Sequence, residues 1–409
     1  MNPIFTRVLL LSMFSGSLLF AQSWPNIDTT NGRYWSNVFP NVTVTSNIQY
    51  GQAMNLNNSN QNLFLDIYQP TGDTVSRRPV IILAHGGSFI GGSKTSTDLV
   101  TLSTEFAKKG YVVASISYRL GIGFPIDSVN ATKAVIRATQ DMKAAVRFFR
   151  QDALGSNTYK THPNYVFAGG VSAGAFMGLH LAYLDKLSEV PSWVNIASLG
   201  GLDGNSGNPG YSHKVNAVIN LCGALGDSTW IEPGDIPFVS MHGNNDNTVP
   251  FGTAMIYISS FPIMVVDGSA SLKLRADNVG VPNSFHPWWG AGHTPFISNA
   301  TYMDSTITFV KTFLRPLLGA PSTTGVSEST DFSVKLFPNP STGLVNISGN
   351  FSGQTQINLI DLGGKILFEE AIRNQTQSFD FSFLAPGVYF IRIQNESGGT
   401  LTRKLIIGR

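Results

Sequence analysis

Hydrophobic residues between positions 24 and 318 follow two alternating spacings. Short, largely apolar runs, such as PVIILAH at 79–85 and YVVASISYRL at 111–120, have the length and flanking residues of strands that are buried on both faces. The segments between them, above all 131–153, place their apolar residues near one face of a helix. This alternation predicts an α/β fold with a mostly parallel central sheet and helices on both of its faces. Such sheets bind ligands at the carboxyl ends of their strands.

The pattern changes beyond residue 318. Residues 319–331, GAPSTTGVSESTD, are mostly Gly, Pro, Ser and Thr, which predicts a linker. Residues 332–409 contain short strand-like runs separated by glycine-rich turns, a pattern typical of a small all-β sandwich. This segment contains no histidine and no cysteine, so we do not expect a catalytic or metal site there.

The first 21 residues have the pattern of a secretory signal peptide. One arginine precedes the apolar run VLLLSMFSGSLLF, and the small residue Ala21 follows it as the expected cleavage position. The run is too short to span a bilayer, and nothing later reaches ~18 consecutive apolar residues, so we expect no transmembrane anchor. The predicted plan is therefore a signal peptide at 1–21, an α/β domain at 22–318, a linker at 319–331 and a β-sandwich at 332–409.

Composition excludes some functions. The formal net charge is +2, charged residues make up 13% of the 409 positions, and lysines and arginines form no runs. Nucleic acid is therefore not an expected partner, because it requires a clustered basic face. The single cysteine, Cys222, lies in an apolar run that predicts an inner strand, so we expect a buried and unreactive thiol.

The pentad GVSAG at 170–174 is the strongest candidate for chemistry. It is the only G-x-S-x-G in the chain, it follows a strand-like run, and it opens an apolar helix. A strand–turn–helix of this kind exposes a nucleophilic serine at a tight turn, which makes Ser172 the expected nucleophile. The alternative is a loop whose small residues only permit close packing. A serine nucleophile also requires a base and donors for the oxyanion, so the rest of the chain must supply them.

The expected oxyanion donors are backbone amides. The strand at 79–85 ends in His-Gly-Gly, where glycines allow the amides to turn inward, so we predict Gly86 and Gly87 as donors together with Ala173. A plain strand-ending turn is the alternative interpretation of His-Gly-Gly.

The general base and its acid are expected after the serine, in the order serine, acid, histidine. His293 follows Gly-Ala-Gly in a predicted loop and is the preferred base, with His286 as its competitor. Asp246 follows a predicted strand and is the preferred acid, with Asp227 as its competitor. We interpret His242, at the end of that strand, as a structural residue.

These elements together resemble the esterases and lipases of the α/β-hydrolase superfamily that are related to hormone-sensitive lipase. The resemblance covers about residues 50–318 and rests on HGG, YRL at 118–120, DMKAAVRF, GVSAG, HGNNDNTVP and GAGH. The chain departs from the family pattern in HGGSF, where relatives have HGGGF, and in GVSAG, where many relatives have Asp before the serine. The resemblance implies an α/β-hydrolase fold and a Ser-His-Asp triad that needs no metal and no cofactor.

The tail has a resemblance of its own. FPNPSTG, INLIDLGGKIL, FDFSFLAPGVYFIRI and the basic end RKLIIGR are similar to the C-terminal sorting module of type IX secretion substrates in Bacteroidetes. That resemblance implies export by the type IX machinery, removal of the tail, and release or attachment at the cell surface. An ordinary carbohydrate-binding β-module is the alternative.

The expected function is a secreted carboxylesterase or lipase-type serine hydrolase that acts through an acyl-enzyme. The expected substrates are small esters, feruloyl or acetyl esters of plant polymers, or polyesters. Four aromatic residues near the motifs are expected to contact substrate, unless they belong to the core: Phe89, Trp230, Trp288 and Trp289. Glycine-rich loops at 120–131 and 199–214 are candidates for a cap or lid, but no long helical cap is evident, so we expect a fairly open site. The alternatives are a serine peptidase on the same fold and a non-catalytic surface binding protein.

Overall fold

A computed structural model of the chain describes residues 26–319, 334–349, 351, 355–361, 366–372, 374–394 and 400–408. The chain divides into two compact units, with the boundary between residues 321 and 322. The predicted signal peptide, and all of the predicted linker except Gly319, lie outside the described residues. No helix in the described ranges is long and apolar enough to cross a membrane.

The first unit is built on an eight-stranded sheet. In spatial order its strands are β1 (Val42–Met54), β2 (Asn60–Pro70), β4 (Val112–Ile116), β3 (Arg78–Ala84), β5 (Thr161–Val171), β6 (Ala217–Leu221), β8 (Phe238–Gly243) and β11 (Asn283–Trp288). The pairs β1–β2 and β2–β4 are antiparallel, and the remaining pairs are parallel. The predicted mostly parallel α/β sheet is therefore confirmed.

Helices cover both faces of this sheet. They are α1 (Thr97–Lys108), α2 (Ser128–Leu154), α3 (Ala173–Tyr183), α4 (Ser269–Val279) and α5 (Ala300–Leu314). Alternate residues of β3 enter two different cores: Ile82 packs in the cluster that contains residues of α2 and α3, whereas Ile81 packs in the cluster that contains residues of α1 and α5. A strand that is apolar at every position therefore buries both of its faces, as the sequence pattern predicts.

Short helical turns and a second, smaller sheet complete the unit. The turns are 3-10 helices at Leu187–Glu189, Ile196–Leu199, Ser228–Trp230, Pro295–Ile297 and Arg315–Leu318. The small sheet is antiparallel and has the order β7 (Ala224–Leu225), β10 (Phe261–Gly268) and β9 (Thr253–Ile258). The β9–β10 hairpin lies in sequence between β8 and β11, and it forms part of the site described below.

The second unit is all-β, as predicted. A three-stranded sheet has the order β12 (Val334–Phe337), β13 (Leu344–Gly349) and β16 (Thr376–Asp380). A four-stranded sheet has the order β15 (Ile366–Ile372), β14 (Thr355–Ile360), β17 (Gly387–Gln394) and β18 (Thr400–Ile407). Residues of both sheets, such as Ile347 and Ile391, share one apolar core, so the two sheets form a sandwich.

Candidate active site

Ser172 lies at the turn between β5 and α3, in a backbone conformation that few side chains adopt. Its φ is 54° and its ψ is −115°, and its amide donates to the Leu221 carbonyl at 2.8 Å. The glycines on either side allow this turn to approach β3, because a Cβ at Gly170 or Gly174 would lie 2.1 or 2.0 Å from the Ala84 carbonyl oxygen. The small residues of GVSAG therefore hold a strained serine against the central sheet.

A continuous hydrogen-bond chain joins the three side chains that the sequence predicts as a triad. His293 Nε2 lies 2.9 Å from Ser172 Oγ, and His293 Nδ1 lies 2.5 Å from Asp246 Oδ2. Asp246 follows β8 and His293 follows β11, which are neighbouring parallel strands whose carboxyl ends meet at one edge of the sheet. The Asp246 carboxylate is fully buried, whereas the His293 side chain is 20% exposed. The imidazole therefore lies between a buried carboxylate and the hydroxyl of Ser172, which is 7% exposed.

The competing residues lie elsewhere. His286 packs against the Phe309 ring, with the ring centroids 5.3 Å apart. Asp227 caps the 3-10 helix at Ser228–Trp230 and accepts a hydrogen bond from the Thr229 amide at 2.8 Å. Neither side chain has a hydrogen bond to the serine or to His293 among the described residues.

The Asp246 carboxylate is held in its charged form by four donors. Oδ1 accepts from the amides of Thr248 and Val249 at 2.8 and 2.9 Å, and Oδ2 accepts from His293 and from His242 Nε2, the latter at 3.1 Å. Burial raises the pKa of this carboxyl, but the hydrogen bonds from His242 and His293 outweigh that effect and hold the pKa well below its usual range. Asp246 is therefore ionised at neutral pH and oriented toward His293.

His242 connects Asp246 to a buried polar network. Asn220 Nδ2 donates to Ser269 Oγ at 3.0 Å, and Ser269 Oγ lies 2.9 Å from His242 Nδ1. The neighbours of His242 Nε2 are the Asp246 carboxylate and the Val249 carbonyl, which only accept, so Nε2 carries a proton. The Ser269 hydroxyl can then donate to Nδ1. The predicted structural residue is thus a positioning residue for Asp246.

The His-Gly-Gly loop lies directly against the serine. A Cβ at Gly86 would lie 3.2 Å from Ser172 Cβ, and Gly87 has a φ of +113°. The amides of Gly86 and Gly87 have no backbone hydrogen bond in the described part of the chain. The third predicted donor, Ala173, is the first residue of α3, where helical amides have no intrahelical acceptor. Gly86 therefore lies against Ser172, Ala173 directly follows the serine, and the Gly86 and Gly87 amides are left without a backbone acceptor in the described ranges.

Tyr118 and Arg119 of the YRL motif hold this loop and the segment next to it in place. The Tyr118 hydroxyl donates to the His85 carbonyl at 2.9 Å, and the two rings stack with centroids 4.4 Å apart. Arg119 forms an ion pair with the fully buried Asp141 of α2, at 2.7 Å between Nη2 and Oδ1. Burial lowers the pKa of His85, although its hydrogen bond to the Gly86 carbonyl acts in the opposite direction. The loop is fixed by neutral stacking and by a buried charge pair on the adjacent segment.

An apolar cleft opens beside Ser172. It encloses about 890 Å³ of space, including its opening to solvent. Its walls come from the N-terminal part of α2, from α3 and from the β9–β10 hairpin, and they include Val135, Ile136, Phe176, Ile256, Ile263 and Met264. The hairpin therefore acts as a wall of the cleft, in a place where the sequence predicts no element.

Only two of the four predicted substrate contacts line this cleft. Phe89 and Trp230 belong to its walls. Trp288 is buried against Phe296 on the opposite side of the sheet end, with ring centroids 5.6 Å apart, and Trp289 is 74% exposed. Trp288 ends β11 with its side chain in the core, and Trp289 lies beyond the strand with its ring 6.3 Å from that of Phe251, so neither tryptophan lines the cleft.

The second predicted cap loop does not reach the cleft. Gln140, Lys143 and Arg147 of α2 donate hydrogen bonds to backbone carbonyls within 199–207, so this loop packs on the outside of that helix. In the first loop, 120–131, only Ala131 lines the cleft. Apart from Ala131, neither of these loops lines the cleft, whereas the β9–β10 hairpin forms one of its walls.

Cys222 lies close to the triad. The Cys222 sulfur, one carboxylate oxygen of Asp246 and one ring nitrogen of His293 all lie within 4.8 Å of one another, a spacing that could hold a metal ion. Both nitrogens of His293 are already hydrogen-bonded, and burial raises the pKa of the Cys222 thiol to about 12. A metal would need the thiolate, so the contacts favour proton transfer through His293 over metal binding at this place.

Two segments of the chain match known families. Residues 65–226 match BD-FAE, and residues 335–408 match the family described as "Secretion system C-terminal sorting domain". The first match includes the oxyanion loop and Ser172 but ends before Asp246 and His293.

Curated proteins with similar sequences include two mouse carboxylesterases. Carboxylesterase 3B of Mus musculus is 34% identical over 116 residues, which cover 28% of this chain and 19% of that protein. Carboxylesterase 1D of Mus musculus is 31% identical over 150 residues, which cover 36% of this chain and 24% of that protein. The chain thus spans less than a quarter of the length of either relative.

Solved structures of one esterase are also similar. Thermogutta terrifontis esterase 2 phosphorylated by paraoxon has 22% identity and a TM-score of 0.49, over 70% of this chain and 97% of that chain. The propionate-bound form has 21% identity and a TM-score of 0.48, over the same shares. The sheet order and the family matches agree with the resemblances in the sequence. The first unit has an α/β-hydrolase fold in which residues 65–226 match BD-FAE, and residues 335–408 match a secretion-system C-terminal sorting domain.

Proposed function

We propose that the chain is a carboxylesterase that cleaves carboxylic esters through an acyl-enzyme on Ser172. The observation that carries the proposal is the hydrogen-bond chain from Ser172 Oγ through His293 to the buried Asp246 carboxylate. A serine hydroxyl becomes a nucleophile when such a base removes its proton. The matches to BD-FAE and to the mouse carboxylesterases support an ester as the substrate.

The first half of the reaction forms the acyl-enzyme. His293 Nε2 takes the proton of Ser172 as Oγ attacks the ester carbonyl carbon. The amides of Gly86, Gly87 and Ala173 donate to the negative oxygen that forms, and Asp246 stabilises the charged imidazole. His293 then gives its proton to the leaving alcohol oxygen as the ester C–O bond breaks.

The second half releases the acid. His293 removes a proton from a water molecule, the hydroxide attacks the acyl carbon, and the same amides hold the oxyanion. The bond to Ser172 Oγ breaks and the serine recovers its proton from His293. The apolar cleft beside Ser172 favours esters with an apolar acyl or alcohol group.

The test is turnover of a p-nitrophenyl ester by matched variants. Ser172→Ala and His293→Ala should each lose roughly 10⁴- to 10⁶-fold in kcat, and Asp246→Asn about 10⁴-fold. The control is Ser103→Ala, which removes another buried serine hydroxyl, on α1 and away from the cleft. Retained turnover in Ser172→Ala would overturn the assignment. Faster cleavage of a peptide p-nitroanilide than of the matching ester would overturn the ester class and favour a peptidase.

We also propose that the protein is exported by type IX secretion and is released or attached at the cell surface. The match of residues 335–408 and the signal-like pattern at 1–21 support this proposal. Mass spectrometry of the exported protein should find a chain that begins at residue 22 and lacks the segment 332–409. A variant without 332–409 should stay inside the cell envelope, and its efficient release would contradict the proposal.

A further inference from the structure

His180 is a buried polar residue in the wall of the apolar cleft. It lies on α3, eight residues after Ser172, and only 6% of its surface is exposed. Phe176 stacks parallel to its ring, with centroids 6.1 Å apart, and Trp230 meets the ring edge-on at 5.7 Å. A polar side chain at this apolar position requires an explanation, because burial of an unpaired polar group is costly.

One of its two ring nitrogens is already used. Nδ1 lies 2.8 Å from the Phe176 carbonyl oxygen, one helical turn earlier. A carbonyl only accepts, so Nδ1 must carry the proton of that hydrogen bond. Burial lowers the pKa of His180 to about 4, and the hydrogen bond to Phe176 acts in the opposite direction without cancelling this effect. The ring is therefore neutral at working pH.

The other ring nitrogen of His180, Nε2, is a hydrogen-bond acceptor without a donor. In the neutral ring with a protonated Nδ1, Nε2 has a lone pair and no hydrogen. Nε2 has no hydrogen-bond partner among the residues that the structure describes. Because Nδ1 is turned toward the helix backbone, the side of the ring that carries Nε2 faces away from α3. By contrast, the nearby hydroxyl of Thr132 in the same cleft is satisfied, since it donates to the Ser128 carbonyl at 2.7 Å.

We propose that Nε2 of His180 accepts a hydrogen bond from a hydroxyl group of the substrate, at the end of an apolar body that is distant from the ester carbonyl. The inference rests on the proposed esterase function and assigns it a specificity-determining residue, His180, which selects esters whose apolar body ends in a hydroxyl. A helix rises 1.5 Å per residue, so the backbone of His180 lies about 12 Å along α3 from Ser172, and its ring leans back toward the serine. A short chain that carries one phenyl ring spans this interval.

The test compares hydroxyl and methyl partners of the same shape. The acyl pair is methyl 3-(4-hydroxyphenyl)propanoate and methyl 3-(4-methylphenyl)propanoate, and the alcohol pair is the two corresponding 2-arylethyl acetates. The wild-type protein should prefer the hydroxyl partner in one of the pairs by about tenfold in kcat/KM, because the methyl partner leaves Nε2 buried without a donor. In His180→Leu the ratio should fall to about one or below. Each ratio is taken within one variant, so a general loss of activity cancels.

Thr132→Val is the matched control, because it removes a cleft hydroxyl that is already satisfied within the helix. Its hydroxyl-to-methyl ratio should equal that of the wild type. A wild-type ratio near one or below in both pairs would overturn the proposal, as would an unchanged ratio in His180→Leu.

Failure of the esterase function itself is detected separately. Turnover of p-nitrophenyl acetate by the wild-type protein is measured first, and its absence would refute the proposed function. In that case, binding of 4-ethylphenol and 4-ethyltoluene, followed by tryptophan fluorescence, tests the acceptor by itself. Tighter binding of the phenol to the wild type but not to His180→Leu supports the acceptor, and equal binding of both compounds to the wild type overturns it.

Discussion

Replacing His242 by leucine isolates the contribution of the buried network behind the triad. The ring is fully buried, and its Nε2 donates toward Asp246 Oδ2 at 3.1 Å and lies 3.2 Å from the Val249 carbonyl. On its other side, Nδ1 faces Ser269, which in turn accepts from Asn220. Leucine is close to histidine in size but has no donor for Asp246.

The size of the effect follows from the number of donors on the carboxylate. A hydrogen bond to a charged group contributes about 1.5–3 kcal/mol. If all of it were lost from the transition state, the rate would fall roughly 10- to 160-fold, at tenfold per 1.36 kcal/mol. The amides of Thr248 and Val249 and the His293 ring still hold Asp246 in its charged form. We therefore expect a loss of about tenfold in kcat for His242→Leu, since the charge survives and only its orientation loosens.

Steady-state kinetics with a p-nitrophenyl ester measures this loss. KM should change little, because His242 does not line the cleft. His242→Gln should recover most of kcat, since its side-chain amide can donate to the same carboxylate oxygen. His286→Leu, a change at a histidine that packs on Phe309, is the control and should keep the wild-type kcat. If His242→Leu lowers the melting temperature but keeps kcat, or if the glutamine variant recovers nothing, the positioning role is refuted.

Three further predictions concern stability. Arg119→Met leaves the buried Asp141 carboxylate unpaired and should cost about 3–5 kcal/mol in the free energy of unfolding, measured by urea denaturation; a loss below about 1 kcal/mol would contradict this. Gly174→Ala places a Cβ 2.0 Å from a β3 carbonyl and should prevent stable folding, whereas Gly252→Ala, whose Cβ would meet nothing closer than 3.9 Å, should keep the wild-type melting temperature. Burial lowers the pKa of His180 from 6.5 to about 4 in the folded protein, so the unfolded chain takes up a proton at a higher pH than the folded one. The free energy of unfolding should therefore fall as pH drops from 6.5 toward 4, by up to roughly 3 kcal/mol. Thermal melts across this range should show a smaller fall for His180→Phe, and an equal fall would contradict the assignment.

Most of the candidate site can be predicted from the sequence because each motif follows a strand. His-Gly-Gly follows β3, Ser172 follows β5, and the segments with Asp246 and His293 follow β8 and β11. Parallel strands bring their carboxyl ends to one edge of the sheet. The proximity of Ser172 and His293, which are 121 residues apart, can therefore be predicted even when the conformations of the loops are unknown.

The walls of the cleft could not be predicted in the same way. The alternating pattern of residues 253–268 is compatible with a hairpin, but its place depends on the pairing of Asp267 with Leu225, a contact between distant parts of the chain. Trp288 and Trp289 are close to His293 in sequence, yet neither lines the cleft, because side-chain direction decides contact.

His180 shows a second limit of the hydrophobic pattern. All residues of α3 except Ala182 are buried, so no polar face marks which side of the helix meets the cleft. From the sequence alone, His180 is either a packed or a half-exposed helical residue, and only the structure identifies the free nitrogen and its surroundings.

Trapping of the acyl-enzyme tests the central claim most directly. The wild-type protein is mixed with a slowly deacylating ester, quenched in acid, digested and analysed by mass spectrometry. Our account predicts one acyl group per chain on the peptide that contains Ser172, with no label in Ser172→Ala and strongly reduced labelling in His293→Ala. Stoichiometric label on another residue, or label and turnover that persist in Ser172→Ala, would contradict it.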